Sequence, residues 1–148
     1  HKVCTMASSG AALAGRRTPD GKGKTMTRAR AEMIRLLDTL SEAELDELPV
    51  GIIQLDRDGT VLQYNETESS LARFSRADVV GRNFFTEIAP CTAVRDFQGR
   101  FEEGVQRGEL DATFAYQFRF ADERTKDVTI TLSYRPHSGS VWVVVERP

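Results

Sequence analysis

The spacing of apolar residues changes period along the chain, and each change predicts a different element. From about residue 28 the pattern is helical: Met33, Leu36, Leu37 and Leu40 fall at i, i+3, i+4 and i+7, one apolar stripe. Ser41 followed by Glu44 has the spacing of a capping box, so a second short helix is expected to start there and to end at Pro49. Val50 to Leu55 is an apolar β-rich run, Asp56-Arg57-Asp58-Gly59 is turn chemistry, and Thr60 to Tyr64 completes a hairpin. Residues 66–108 carry shorter helical stretches broken by Gly81, Pro90, Gly99 and Gly108. Phe114, Tyr116, Phe118 and Phe120 then alternate with Ala115, Gln117 and Arg119, the clearest period-two signal in the chain. Val128, Ile130, Leu132 and Tyr134 alternate with Thr129, Thr131 and Ser133, and Val141 to Val145 is a short continuous apolar strand. Two strands, then helices, then three strands predict an α+β domain. One antiparallel sheet is covered on one face by helices, and the N-terminal helical pair packs on the domain as a cap.

Length and charge narrow the class. At 148 residues the chain fits one domain plus a tail, and 40% apolar content suffices for one core. Residues 1–25 are rich in Gly, Ala, Ser and Arg, have no apolar period and hold five bases against one acid. They read as a disordered leader or an appended tail, leaving 26–48 as the helical cap and 49–148 as the core. The remaining residues hold 15 bases against 21 acids. An acidic body is a poor match for nucleic acid. No run approaches the ~18 apolar residues of a membrane span. With only Cys4 and Cys91 there is no disulfide framework, and a cytoplasmic setting is expected.

Enzyme chemistry finds little support. The Asp-rich turn at 56–59 lacks the spaced ligands of a calcium loop, and the glycines form no phosphate loop. His137 is the only histidine in the body, so neither a zinc site nor a haem pocket has an obvious ligand set, and a Ser-His-Asp triad would have to recruit His137. Cys91, in Ala89-Pro90-Cys91-Thr92, remains. Taken alone it reads as a small buried hydrophobe or as a reactive thiol. Glu68 alone reads as a solvated charge at a helix start, and Tyr64 as a core or rim residue.

A resemblance resolves these alternatives. Ile53-Gln54-Leu55-Asp56, Asp58-Gly59 and Leu62-Gln63-Tyr64-Asn65 look like the opening half of a PAS domain. The stretch from Gly81 through Asn83-Phe84-Phe85 to Ala89-Pro90-Cys91-Thr92 resembles the chromophore-attachment segment of photoactive yellow proteins. The similarity runs from about Leu45 to Arg147, and Tyr64, Glu68 and Cys91 fall at that family's spacing without a gap. The resemblance implies a PAS fold with a five-stranded antiparallel sheet, flanking helices and an N-terminal cap. It implies a blue-light photoreceptor with p-coumaric (4-hydroxycinnamic) acid bound to Cys91 as a thioester. Tyr64 and Glu68 would hydrogen-bond its phenolate oxygen, with Ile53, Ala72, Phe74, Phe84, Ile88, Ala89, Pro90, Thr92, Tyr116 and Phe118 in or around the pocket. Burial beside an anion would keep Glu68 protonated in the dark. After trans–cis isomerisation Glu68 would lose that proton and stay buried, ionised and without a partner, and the cap would loosen.

The chain also departs from that family. Ala72 stands where better-known members have Thr, and Phe74 where they have Arg, so polar support is lost at both. The 121–127 loop reads one residue longer and lacks the Met that assists thermal return, which implies slow dark recovery. A chromophore-free PAS domain used for dimerisation or partner binding is the alternative. The flavin-reactive PAS motif Asn-Cys-Arg-Phe-Leu-Gln is absent. A monomer or a PAS-type homodimer both fit, and the signal is expected to pass to a separate downstream protein.

Overall fold

The computed structural model describes residues 28–72, 75–89, 92–119 and 125–147. The expected leader at 1–25, Phe74, Pro90, Cys91 and residues 121–124 of the expected 121–127 loop lie outside the described residues, whereas 125–127 are strand rather than loop. Five strands form one sheet: β1 (Gly51–Leu55), β2 (Val61–Tyr64), β3 (Asp111–Arg119), β4 (Thr125–Arg135) and β5 (Ser140–Glu146). Their spatial order is β2-β1-β5-β4-β3, and every neighbouring pair is antiparallel. The β1–β2 connection is the expected tight turn. Asp56 Oδ1 accepts from the N–H groups of Asp58 and Thr60 (2.8 and 2.9 Å), and Gly59 takes the left-handed φ of 91°. That carboxylate is therefore spent on its own turn.

Both faces of the sheet are covered, where the sequence pattern suggested helices on one face plus a cap. On one face Ile53, Leu55, Val143 and Val145 join Phe84, Phe85, Phe97, Phe101 and Tyr116 in the larger core. On the other, Ile52, Trp142 and Val144 meet Ile34, Leu37 and Leu45 from the N-terminal helices. Successive strand residues point to opposite faces, so β5 is buried on both, which is why its sequence is continuously apolar.

The N-terminal pair consists of α1 (Arg28–Leu36), a tighter turn at Leu37–Thr39, and α2 (Glu42–Asp46). Ser41 caps α2 as expected: its hydroxyl accepts from the Glu44 N–H, and Glu44 Oε1 accepts from the Ser41 N–H at 2.8 Å. The apolar stripe of α1 is rotated from the one inferred. Leu37 and Ile34 are buried, whereas Leu36 is 50% exposed, because the helix tightens after Leu36 and turns Leu37 inward. Asp38 accepts from the Trp142 indole N–H at 2.8 Å and lies 3.0 Å from Arg135 Nε, fastening this turn to β4 and β5.

Between β2 and β3 run α3 (Glu66–Ala72), α4 (Arg76–Val79), two wide turns at Phe84–Ile88 and Arg95–Gly99, and α5 (Arg100–Arg107). Gly108 closes α5 with φ 71°, as its position suggested, but Gly99 sits inside a continuous turn-to-helix run rather than breaking it.

Leu37→Ala should lower stability by about 2–5 kcal/mol, whereas Leu36→Ala should change it by no more than about 0.5 kcal/mol. Urea midpoints of the two variants measure the contrast; equal losses would mean that the rotated stripe is wrong.

Candidate functional site

β2 ends at Tyr64, and α3 begins two residues later at Glu66, so Tyr64 and Glu68 lie either side of a single turn of backbone. Asn65 builds that turn. Its Oδ1 accepts from Ile52 N–H and Glu68 N–H, each at 3.0 Å, and its Nδ2 donates to the carbonyls of Leu45 (2.7 Å) and Val50 (3.1 Å). A buried amide with all these bonds made fixes the start of α3 against β1 and the end of α2.

Tyr64 is 3% exposed and Glu68 5%. Burial, and then the nearby Glu68 carboxylate, push the Tyr64 phenol well above its ordinary range, while Arg147 pulls the other way. Among the described residues, none accepts from the Tyr64 hydroxyl. Glu68 is met by Arg147, just beyond β5: Nη1 lies 3.1 Å from Oε1 and Nη2 3.4 Å from Oε2. Two planar groups meet fork to fork in a nearly dry place.

Several expected site residues share this core. Ile53, Tyr64, Phe84, Ile88, Ala89 and Tyr116 belong to one buried cluster, and Thr92 is fully buried with its hydroxyl donating to the Ala89 carbonyl at 2.7 Å. Ala72 is half-buried near the end of α3. Phe118 lies on β3 opposite Lys126. Pro90 and Cys91 fall outside the described residues, but Ala89 and Thr92 on either side are both buried. Phe97 and Tyr116 pack edge to face at 5.3 Å. Burial, with Asp96 adding to it, pushes the Tyr116 phenol up to about 12.

Sequence reasoning missed Arg147 and Gly51. Nothing local marks Arg147, because its partner is 79 residues away. Gly51 did leave a signal: a glycine inside a strand marks a close approach, and here a Cβ would stand 2.0 Å from Glu68 Oε1. Among the described residues no three metal-binding side chains cluster, and no helix is long and apolar enough to cross a membrane.

A neutral buried phenol favours folding only while the unfolded chain also keeps its proton. For Tyr116 that contribution is complete below the ordinary value of 10.0 and is lost as pH rises through about 12. Stability should fall over that interval, and Tyr116→Phe should flatten the fall in pH-dependent denaturation. An unchanged slope in the variant would contradict the assignment.

A family model described as the PAS fold matches residues 39–147. A photoactive yellow protein of Rhodothalassium salexigens is 44% identical over 108 residues, 73% of this chain and 86% of the relative. One from Halochromatium salexigens is 40% identical over 111 residues, 75% of this chain and 88% of the relative. The photoactive yellow protein domain from the sensor histidine kinase Ppr of Rhodospirillum centenum superposes with a TM-score of 0.72 at 42% identity, covering 76% of this chain and 98% of that one. The PAS domain of an HTR-like protein from Haloarcula marismortui, at 20% identity and a TM-score of 0.57, shares the fold alone. With this similarity spanning the sheet and the Tyr64–Glu68 turn, the chain belongs to the photoactive yellow protein family of PAS domains.

Proposed function

We propose that this PAS photoreceptor senses blue light through p-coumaric acid held as a thioester on Cys91, with Tyr64 and Glu68 as the hydrogen-bonding side chains at its phenolate. Family membership makes the chain a photosensory domain rather than an enzyme and implies a chromophore. The observation that most supports the finer reading is that Tyr64 and Glu68, either side of one turn, are both buried and near enough for the Glu68 charge to act on the Tyr64 phenol. A buried phenol O–H that no described residue accepts suits an anionic oxygen, and the cluster of Ile53, Phe84, Ala89 and Tyr116 suits a flat apolar body.

When bound, the chromophore supplies blue absorption through its delocalised phenolate and a double bond that light turns from trans to cis. Tyr64 would donate from its hydroxyl oxygen and keep its proton, since burial holds it neutral. Glu68 would hold a proton at its carboxyl in the dark and release it after illumination, leaving a new charge inside the core. A domain of this size has only ~5–15 kcal/mol of stability, so such a charge can loosen weakly held segments.

The wiring supports the N-terminal pair as the segment that loosens. Glu66 N–H donates to Asp46 Oδ1 at 2.8 Å, and Thr67 Oγ1 donates to the Leu48 carbonyl at 2.7 Å. Arg76 Nε donates to the Tyr64 carbonyl at 2.9 Å, while its other nitrogens pair with Asp46 and with Glu42. Burial works against the charge on Asp46, but Arg76 and the Glu66 N–H outweigh it and hold its pKa below the usual value. Strain on α3 is thereby handed to α2 within one turn. Signalling would follow as a population shift of residues 28–48 toward an opened state read by a separate protein.

The chromophore-free PAS module is the second reading, and one observation favours it: Arg147 satisfies the Glu68 carboxylate within the chain itself.

Treatment with activated p-coumarate should add one p-coumaroyl group to the intact mass and turn the protein yellow. Cys91→Ser should abolish both, and Cys4→Ser neither. A colourless protein of unchanged mass would establish the second reading. In the loaded protein, light should raise amide exchange in residues 28–48, and Glu68→Gln should blunt that rise; equal exposure in the variant would end the buried-charge account. Dark recovery after a flash should take many seconds, given the altered sequence at 121–127, and recovery within a second would count against it.

A further inference from the structure

We propose that Arg147 is a positioning residue of this light-sensing site, giving Glu68 a second seat as a carboxylate in a notch over Gly51. The inference rests on reading Glu68 as the group that holds and releases a proton, but the ion pair itself belongs to the chain alone.

Three observations carry it. The guanidinium meets both carboxylate oxygens, at 3.1 and 3.4 Å, and the side chains are only 18% and 6% exposed. A pair so shielded is little screened by solvent and salt, and its removal would leave a bare charge in a low dielectric. Gly51 then supplies the space. Its φ is not left-handed, so what the glycine provides is clearance: a Cβ would fall 2.0 Å from Glu68 Oε1 and 3.0 Å from Cδ. Finally, the register is fixed. Gly51 pairs with Val145 across β1 and β5, which sets Arg147 two residues beyond the notch.

Glu68 therefore stands between two opposite partners. On the side of Tyr64, at the end of β2, the chromophore phenolate that Tyr64 would bond favours a protonated carboxyl by like-charge repulsion. Arg147, beyond β5, favours the ionised carboxylate. Proton release from Glu68 then does not strand a charge without a partner, as the sequence alone implied; it moves the carboxylate from one partner to the other. How far the N-terminal pair loosens depends on how well Arg147 accepts it.

The test begins with the chain free of chromophore, following the Glu68 carboxyl carbon by NMR across pH. Arg147→Met should raise its titration midpoint by about one unit, a ten-fold change in proton affinity. Arg147→Lys, which keeps the charge but loses the fork, should fall between the two. Gly51→Ala, by closing the notch, should shift the midpoint in the same direction as Arg147→Met. Should the Met variant not fold, the Lys variant decides, with a midpoint above the native one expected. In the loaded protein, light-minus-dark infrared spectra should show loss of the Glu68 protonated-carboxyl band, identified by its absence in Glu68→Gln. That loss should shrink in Arg147→Met and return in Arg147→Lys. An unmoved midpoint overturns the pair, and a moved midpoint with an unchanged infrared loss overturns its part in light sensing. If no thioester forms at all, the proposed function fails by mass, while the NMR titration still decides the pair.

Discussion

A carboxyl group inside a protein core must be kept neutral or be paired, because an isolated charge in a low dielectric costs several kcal/mol. Glu68 is such a group, and much of the surrounding structure follows from it. Gly51 lacks a side chain because the carboxyl occupies the place of its Cβ. Asn65 spends its amide on four backbone groups so that α3 starts where it can carry Glu68 inward. Arg147 lies against the carboxylate from the opposite end of the chain. A change of side chain at a residue with so many dependants would disturb several parts of the packing at once.

The sheet turns this local point into a connection across the domain. Its inner strands β1 and β5 are buried on both faces, with the aromatic core on one side and the N-terminal helices on the other. The turn from Tyr64 to Glu68 lies at the edge of that sandwich and bonds to both. Tyr64 enters the aromatic core, while Asn65, Glu66 and Thr67 bond to residues 45–50. One backbone turn thus bonds to the aromatic core and to the N-terminal helices alike.

Residues whose meaning is local were legible in the sequence. The capping box at Ser41, the Asp56–Gly59 turn, the alternation through Phe114 and Tyr116, and the doubly buried run at Val141–Val145 each declare their structure within a few positions. Local periodicity misplaced Leu36, because a helix that tightens after that residue rotates its face by an amount no 3.6-residue pattern encodes. Arg147 was illegible for a different reason. Its role exists only through the pairing of β1 with β5, and a surface-type residue two positions past a strand carries no mark of a partner 79 residues upstream. Gly51 was the exception, a non-local contact that left a local trace.

The departures at 72 and 74 gain significance from this arrangement. Ala72 offers no hydroxyl near the end of α3, and Phe74 replaces a cation by an apolar ring in the sequence. By the resemblance, both positions lose a polar group that better-known members carry. Among the described residues Arg76 donates to the Tyr64 carbonyl, and Arg147 is the cation that meets the Glu68 carboxylate. Under the proposed function, a positive charge on the phenolate side would stabilise the dark arrangement, whereas one on the far side of Glu68 would stabilise its carboxylate after proton release. Moving the cation from the first position to the second would leave the fold unchanged and shift the balance between the two protonation states. By that argument, and under the proposed function, any differences in how long a lit state lasts need not lie in the chromophore's own contacts. They can be set by where the counter-charge to one buried glutamate is placed.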